Sequence, residues 1–201
     1  MRSIRFLAVL PLLSLLLLGC ERDPRQNQYR NAMQQLVQGD YRTAALILNT
    51  LAENGYAPAQ FRLGSLYQRG LGVQHNQRRA VYWFEKAAQQ EDVGGQYWLA
   101  ESYRRGEGAP LAPELAFQWF HRLAERGYAP AQYQIALAYA EGRGVVRDER
   151  EAVRWLQQAS AGGFIDAARR LAQAYRHGEL GLPPDPHQAA EWDRKTQPAR
   201  F

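Results

Sequence analysis

Apolar and polar positions along the chain follow two helical rhythms, and both return after a fixed interval. From Ala57 onward, Ala59, Leu63, Leu66 and Tyr67 fall on one face of a helix. After a glycine-containing loop, Ala80, Trp83, Phe84, Ala87 and Ala88 form the stripe of a second helix. The pattern returns every 36 residues: Tyr67, Tyr103, Tyr139 and Tyr175 keep that spacing, as do Gly70, Gly106, Gly142 and Gly178. Trp83, Trp119 and Trp155 keep it too, and Trp192 arrives one residue late because the Glu179–Pro184 loop holds one extra residue. A fixed period in this range predicts an all-α fold, an α/α solenoid of antiparallel helix pairs whose core lies between neighbours.

The punctuation agrees with the rhythm. Pro58 suits a first helical turn, where its missing N–H has no partner to lose. Gly70 can take the left-handed conformation that ends a helix, and Gly72 is a second permissive joint. Gly64 sits beside the apolar face and predicts a close approach of the paired helix. Asn76 is placed to cap the second helix. Asp148 replaces it in a later copy with Glu151 three residues on, as in a capping box, and Asp185 precedes Pro186 in the last. The second copy starts a helix with Pro113. It also has Gly94–Gly95 where its neighbours have Pro–Ala, which predicts the softest helix start of the set.

The residues Leu63-Gly64-Ser65-Leu66-Tyr67, Gly70-Leu71-Gly72-Val73, and Ala80 with Trp83 and Ala87-Ala88 resemble the Sel-one-like repeat family, a branch of the tetratricopeptide-like solenoids. The resemblance covers Ala57 to Lys195 as four repeats. It implies an adaptor that holds partner proteins rather than an enzyme. A cysteine-rich branch of that family is connected with β-lactam binding; the paired cysteines of that branch are missing here, so the property does not carry over.

Upstream, Met33, Leu36 and Val37 mark one helix, Gly39-Asp40 a turn, and Ala44, Ile47, Leu51 and Ala52 a second helix. Residues 29–56 therefore read as a degenerate opening repeat, as expected of a terminal copy with one face in water. The first 19 residues have the form of a signal peptide. Arg2 and Arg5 make a basic start, and Phe6–Leu18 is an apolar run shorter than the roughly 20 residues of a spanning helix. The ending Leu17-Leu18-Gly19-Cys20 resembles the lipobox of bacterial lipoproteins. That resemblance implies cleavage before Cys20 and acylation of its thiol with chains such as palmitate. Residues 20–28 read as a polar, lipidated tether. Glu21, rather than aspartate, after the cysteine leans toward an outer-membrane, periplasm-facing anchor, with the inner membrane as the other option. Residues 196–201 read as a frayed tail. The short helix before it lacks a covering helix, and that end is either unstable or a docking surface.

Composition narrows the chemistry. The formal charge is +5, and losing Arg2 and Arg5 with the signal lowers it to +3. That is too mild for the basic stripe of a nucleic-acid binder, although an acidic polysaccharide or acidic protein face remains compatible. Cys20 is the one cysteine, so no internal disulfide forms. His75, His121, His177 and His187 make no i, i+3 or i, i+4 pair for a metal, and they read as surface or packed side chains. No nucleophile-elbow motif is present. The recurring Gly-x-Gly loops lack the glycine and lysine of a phosphate loop. The expectation is therefore no catalytic residue, no metal and no cofactor.

What remains is a groove. The face of each first helix opposite its core carries Phe61, Ser65, Gln68 and Arg69 in the first copy, and Tyr97, Glu101, Arg104 and Arg105 in the second. The third has Tyr133, Leu137, Ala140 and Glu141, and the fourth has Arg169, Gln173, Arg176 and His177. The family resemblance implies that this helix lines the concave side. Phe61, Tyr97 and Tyr133 then form an aromatic row flanked by arginines, residue types enriched at binding hot spots. The alternative is that these rings pack against the next repeat. The resulting expectation is a lipid-anchored scaffold for protein partners of a cell-envelope complex, on the analogy of lipoproteins that assist exopolysaccharide export. Direct binding of a cell-wall or polysaccharide ligand by the aromatic row is the other reading.

Overall fold

A computed structural model describes residues 23–196 of the chain. The predicted signal peptide, Cys20 and residues 197–201 lie outside the described residues. Among the described residues every regular element is helical, and no helix is long and apolar enough to cross a membrane. Ten helices run in antiparallel pairs: α1 (Pro24–Gln38) with α2 (Tyr41–Glu53), α3 (Ala57–Arg69) with α4 (Gln77–Ala88), and α5 (Val93–Arg105) with α6 (Pro113–Glu125). The remaining pairs are α7 (Ala129–Glu141) with α8 (Glu149–Ala161), and α9 (Ile165–His177) with α10 (Pro186–Arg194). Each helix packs on the next in sequence, and the buried residues form three successive clusters joined through the half-buried rings of Tyr67, Tyr103 and Trp119.

The recurring residues serve this packing. The carbonyls of Tyr67, Tyr103, Tyr139 and Tyr175 accept hydrogen bonds from the backbone N–H groups of Asn76, Ala112, Asp148 and Asp185, at 2.9, 2.9, 3.0 and 2.8 Å. That bond ties the end of each first helix to the N-cap of its partner. Asn76 and Asp185 cap as expected, accepting from the backbone N–H of Arg79 and Gln188 at 3.0 Å each. Gly64 faces the Phe84 ring, where a Cβ would lie 2.7 Å from the ring edge. The second glycine of the loop does more than bend. A Cβ on Gly72, Gly108 or Gly144 would sit 2.1, 2.3 or 2.2 Å from the carbonyl oxygen of Tyr41, Gln77 or Pro113. Those three residues open the second helix of the preceding pair, so this glycine sets how closely successive pairs stack.

Several expectations need correction. Helix α1 starts at Pro24, capped by Asp23, whose carboxylate accepts from the Arg25 N–H at 3.0 Å. Residues 24–28, read as tether, are therefore helix: proline at N1 and an aspartate cap outweigh the missing apolar rhythm. The tryptophans, which their place on the second-helix stripe would put in the core, are not uniformly buried. Trp155 is, but Trp83 and Trp119 are half-buried, and the following residues Phe84, Phe120 and Leu156 fill the core instead. Asp148 accepts from Arg150 and Glu151 N–H, but Glu151 pairs with Arg154 rather than reaching back, so the capping box is one-sided.

Gly94 and Gly95 answer a need for space. A Cβ there would meet the Phe61 ring at 2.8 Å and the Ala87 Cβ at 2.6 Å. The Asp92 carboxylate, accepting from Gly95 N–H at 2.7 Å, secures that start. The first helices of the other three repeats, α3, α7 and α9, have no side-chain cap. Burial pushes the Asp92 carboxyl above its ordinary range, against the Gly95 and Gly94 N–H groups that favour the charged form.

A feature the sequence pattern hid is a row of buried glutamines. Gln60, Gln96 and Gln132 donate from Nε2 to the carbonyls of Ala52, Ala88 and Ala124, at 3.0, 3.5 and 3.1 Å, and so staple each repeat to the one before. Ala168 stands at the fourth such position and makes no such bond.

Candidate interaction clefts

The aromatic row does not stand free in a groove. Phe61 packs beside Phe84, with ring centroids 6.2 Å apart, and against Gly94 of the next repeat. Tyr97 stands edge-on to Phe120 at 5.4 Å and to Tyr128 at 5.7 Å, and Tyr133 lies 5.1 Å from Phe164. Burial raises the phenol pKa of both Tyr97 and Tyr133, helped by the Glu101 carboxylate at Tyr97 and the Asp166 carboxylate at Tyr133. These rings bridge consecutive repeats because Tyr128 and Phe164 sit just before the next first helix, within reach of a large side chain one turn into the previous one.

One of the two acidic members of the set is also turned inward. Glu101 is buried and holds two cations. Its carboxylate accepts from Arg104 Nε and Nη2 at 3.1 and 2.7 Å, and from Arg105 Nε at 2.8 Å. The i+3 and i+4 spacing on α5 brings both guanidiniums over one carboxylate. Bidentate pairing raises the Arg104 pKa further, so this cation is permanent.

The open surface lies beside this clamp. A cleft of about 270 Å³ is bounded by α5, α6, α7 and their loops, and is lined by Leu111, Ala116, Phe117, Phe120 and Leu137, with Arg104, Gln134, Glu141 and Arg143 among its polar lining. One repeat on, a wider cleft of about 520 Å³ lies between α7, the start of α8 and α9. Leu137 and Glu141 line both, so the two are consecutive stretches of one furrow. Glu141 pairs with Arg143 at 2.6 Å.

Of the sequence-predicted residues, Arg104, Leu137, Ala140 and Glu141 thus reach the furrow. Ser65, Gln68 and Arg69 lie outside both clefts, and Ser65 donates to the Phe61 carbonyl at 3.1 Å. Arg169 is paired with Asp166 and Arg176 with Asp193, while Gln173 and His177 are exposed beyond the second cleft. Leu111, Phe117, Phe120 and Arg143 were missed because attention to first helices alone omits the second-helix and loop walls, and Gln134, on first helix α7, lies outside the four positions per helix that were singled out. Comparison of copies could have found two of them. Leu111 stands where the first and third repeats have His75 and Arg147, and Phe117 where they have Val81 and Val153; the fourth has Pro184 and Ala190. Among the described residues no cluster of His, Cys, Asp or Glu is arranged to hold a metal.

The Sel1 repeat model matches residues 57–92, 93–128, 129–164 and 165–194. The chain belongs to the Sel1 repeat family. The match adds no copy before residue 57 and follows the 36-residue spacing of the tyrosines and glycines. Among solved structures, a Sel1 repeat protein from Oxalobacter formigenes is similar at 29% identity and TM-score 0.71, over 82% of this chain and 67% of that one. A protective antigen of uropathogenic Escherichia coli displaying an SLR fold is 30% identical with TM-score 0.78, over 86% of this chain and 38% of that one. This chain therefore spans well under half of the E. coli protein. A sel1 repeat protein from Klebsiella pneumoniae, at 23% identity and TM-score 0.54, shares the fold. A search of curated proteins finds no match. Sel1 repeats typically serve as protein-interaction scaffolds, and membership supports that role for this chain.

Proposed function

We propose that this Sel1 repeat protein is a lipid-anchored, periplasm-facing scaffold that gathers protein partners of a cell-envelope complex, exopolysaccharide export being one such setting. The observation that carries the scaffold half is the unbroken array of four Sel1 repeats, with a furrow across the second to the fourth. The anchor half rests on Arg2, Arg5, the apolar run 6–18 and Cys20 in the spacing of a lipobox. Glu21 after the cysteine supports the outer membrane over the inner. A protein partner is favoured over a glycan because Phe61, Tyr97 and Tyr133, the rings on which sugars would stack, are committed to contacts between repeats.

One experiment addresses both halves. The native-host chain and its Cys20→Ala variant are labelled with a clickable fatty acid and captured from detergent-solubilised envelope. The parent should carry label and bring down an envelope protein in near-stoichiometric amount, and the variant should carry none. Stable anchoring requires more than one acyl chain, and the variant, with its maturation blocked, should run as the longer unprocessed chain. Equal labelling of the two chains removes the anchor, and a labelled parent without a partner removes the scaffold.

A further inference from the structure

The four repeats share one backbone plan, so side chains that depart from the plan and meet at one place are informative. Leu111 replaces the His75 and Arg147 of the other loops, Phe117 replaces Val81 and Val153, and Leu137 replaces Ser65, Glu101 and Gln173. The three come from a loop, from α6 and from α7, and all line the same 270 Å³ cleft. The scaffold does not require them, because the other copies fold with smaller or polar residues there. Leu111 is 65% exposed at this mouth, an apolar side chain held in water where the first and third repeats present His75 and Arg147 and the fourth the smaller Pro184.

Beside these walls, the guanidinium of Arg104 has its Nε–Nη2 edge clamped by the buried Glu101 carboxylate. Among the described residues its Nη1 donates no hydrogen bond, and Arg104 lines the cleft. Two arginines share the one Glu101 carboxylate, so the clamp keeps one net positive charge at the rim. A cation oriented from behind with one edge free is suited to receive a carboxylate from outside.

We propose that this cleft takes one large apolar side chain of an extended partner segment, with an adjacent acidic side chain received by Arg104. The cleft is smaller than the roughly 300–1,000 Å³ of small-molecule sites, and it suits a single aliphatic or aromatic anchor of the kind that dominates interface energetics. The furrow continues past Leu137 into the second cleft, so the segment runs through rather than ending at Arg104, and its carboxylate belongs to an Asp or Glu. This deepens the scaffold reading and rests on it.

The test uses the full chain in mild detergent against a phage-displayed library of random dodecapeptides. Selected sequences should be enriched in Leu, Phe or Trp with Asp or Glu within two positions, and recovery without that pairing overturns the proposal. The leading sequence, made as an acetylated and amidated peptide, is then titrated by fluorescence anisotropy. Leu111→Arg and Leu137→Gln install residues the other repeats already tolerate, so they should fold and weaken binding at least tenfold. Arg104→Gln should weaken the acidic peptide similarly and leave its Asp/Glu→Ala counterpart unaffected. Unchanged affinity in all three folded variants places the binding elsewhere, and a requirement for a free C-terminal carboxylate replaces the running segment with a chain end. If the cleft variants bind as the parent does while envelope capture still succeeds, the cleft assignment falls and the scaffold reading stands.

Discussion

The two clefts of the furrow are built from the same plan one repeat apart, yet they present different chemistry. The first, between α5, α6 and α7, is walled by Leu111, Phe117, Phe120 and Leu137. The second, between α7, α8 and α9, is walled by Arg147, Glu149, Arg170 and Glu179, and there Arg147 pairs with Glu149 and Arg170 with Glu179. In the second cleft the charges satisfy one another. In the first, apolar surface and one edge of a guanidinium are left for another molecule. One stacking contact is the same at both, the Tyr carbonyl that bonds the next N-cap, whereas the buried glutamine that staples α7 to α6 at the first cleft has only Ala168 in its place at the second. A repeat architecture thus separates the residues that hold the array from those that decide what it touches.

The strongest way to break the comparison is through the core that both clefts share. Phe120 is buried and also lines the first cleft. Phe120→Ala should cost about 3–5 kcal/mol, measured as the shift in chemical denaturation. Trp119→Ala, at a half-buried ring with Arg122 stacked 4.9 Å over it, should cost clearly less. Equal losses would return the core role to the tryptophan.

The joint between the clefts should be next in size. Gly144 has φ 72° and would place a Cβ 2.2 Å from the Pro113 carbonyl oxygen, whereas Gly127 has φ 83° with open space around it. Gly127→Ala carries the left-handed strain alone, about 1–2 kcal/mol. Gly144→Ala adds a backbone clash and should cost about 3 kcal/mol. If thermal unfolding shows the two to be equivalent, the close stacking at Pro113 is not limiting.

The smallest effect concerns the helices that lead into the two clefts. Helix α5 begins with Asp92, Gly94 and Gly95, while α7 begins with Ala129, Pro130 and Ala131. Burial raises the Asp92 pKa, so the folded state holds that proton more tightly than the unfolded chain does. The contribution is therefore greatest at low pH and is lost as pH rises through the ordinary carboxylate range to the raised folded value. Asn caps as well as Asp without the charge. Asp92→Asn should raise stability near pH 7 by less than about 1 kcal/mol, because the carboxyl is only half-buried. It should also flatten the dependence from the ordinary carboxylate range upward in denaturant titrations. A variant less stable than the parent at neutral pH would show that the cap needs its charge.

The period was readable because each turn of the array demands the same backbone features. Gly70 and its copies end helices at positive φ, Asn76 and Asp185 cap, and Ala80 with Ala87 and Ala88 fit a narrow seam. Such local requirements leave a residue type at a fixed spacing, and by themselves they determined the solenoid, its register and the helix ends inside the repeats, though not the start of α1 at Pro24. The furrow's composition was only partly readable. Leu137 and Arg104 lie on the helix face that the spacing singled out, but Leu111 and Phe117 belong to a loop and to the partner helix, which meet α7 only after the pairs stack. The fate of Phe61, Tyr97 and Tyr133 was decided there too. A ring on the outer face of one helix can face water or the next repeat, and its own helix is the same in either case. Tyr128 and Phe164, brought within 5.7 and 5.1 Å of Tyr97 and Tyr133, settle it. Burying aromatic surface between layers is favourable, and only the placement of the neighbouring layer makes that burial available.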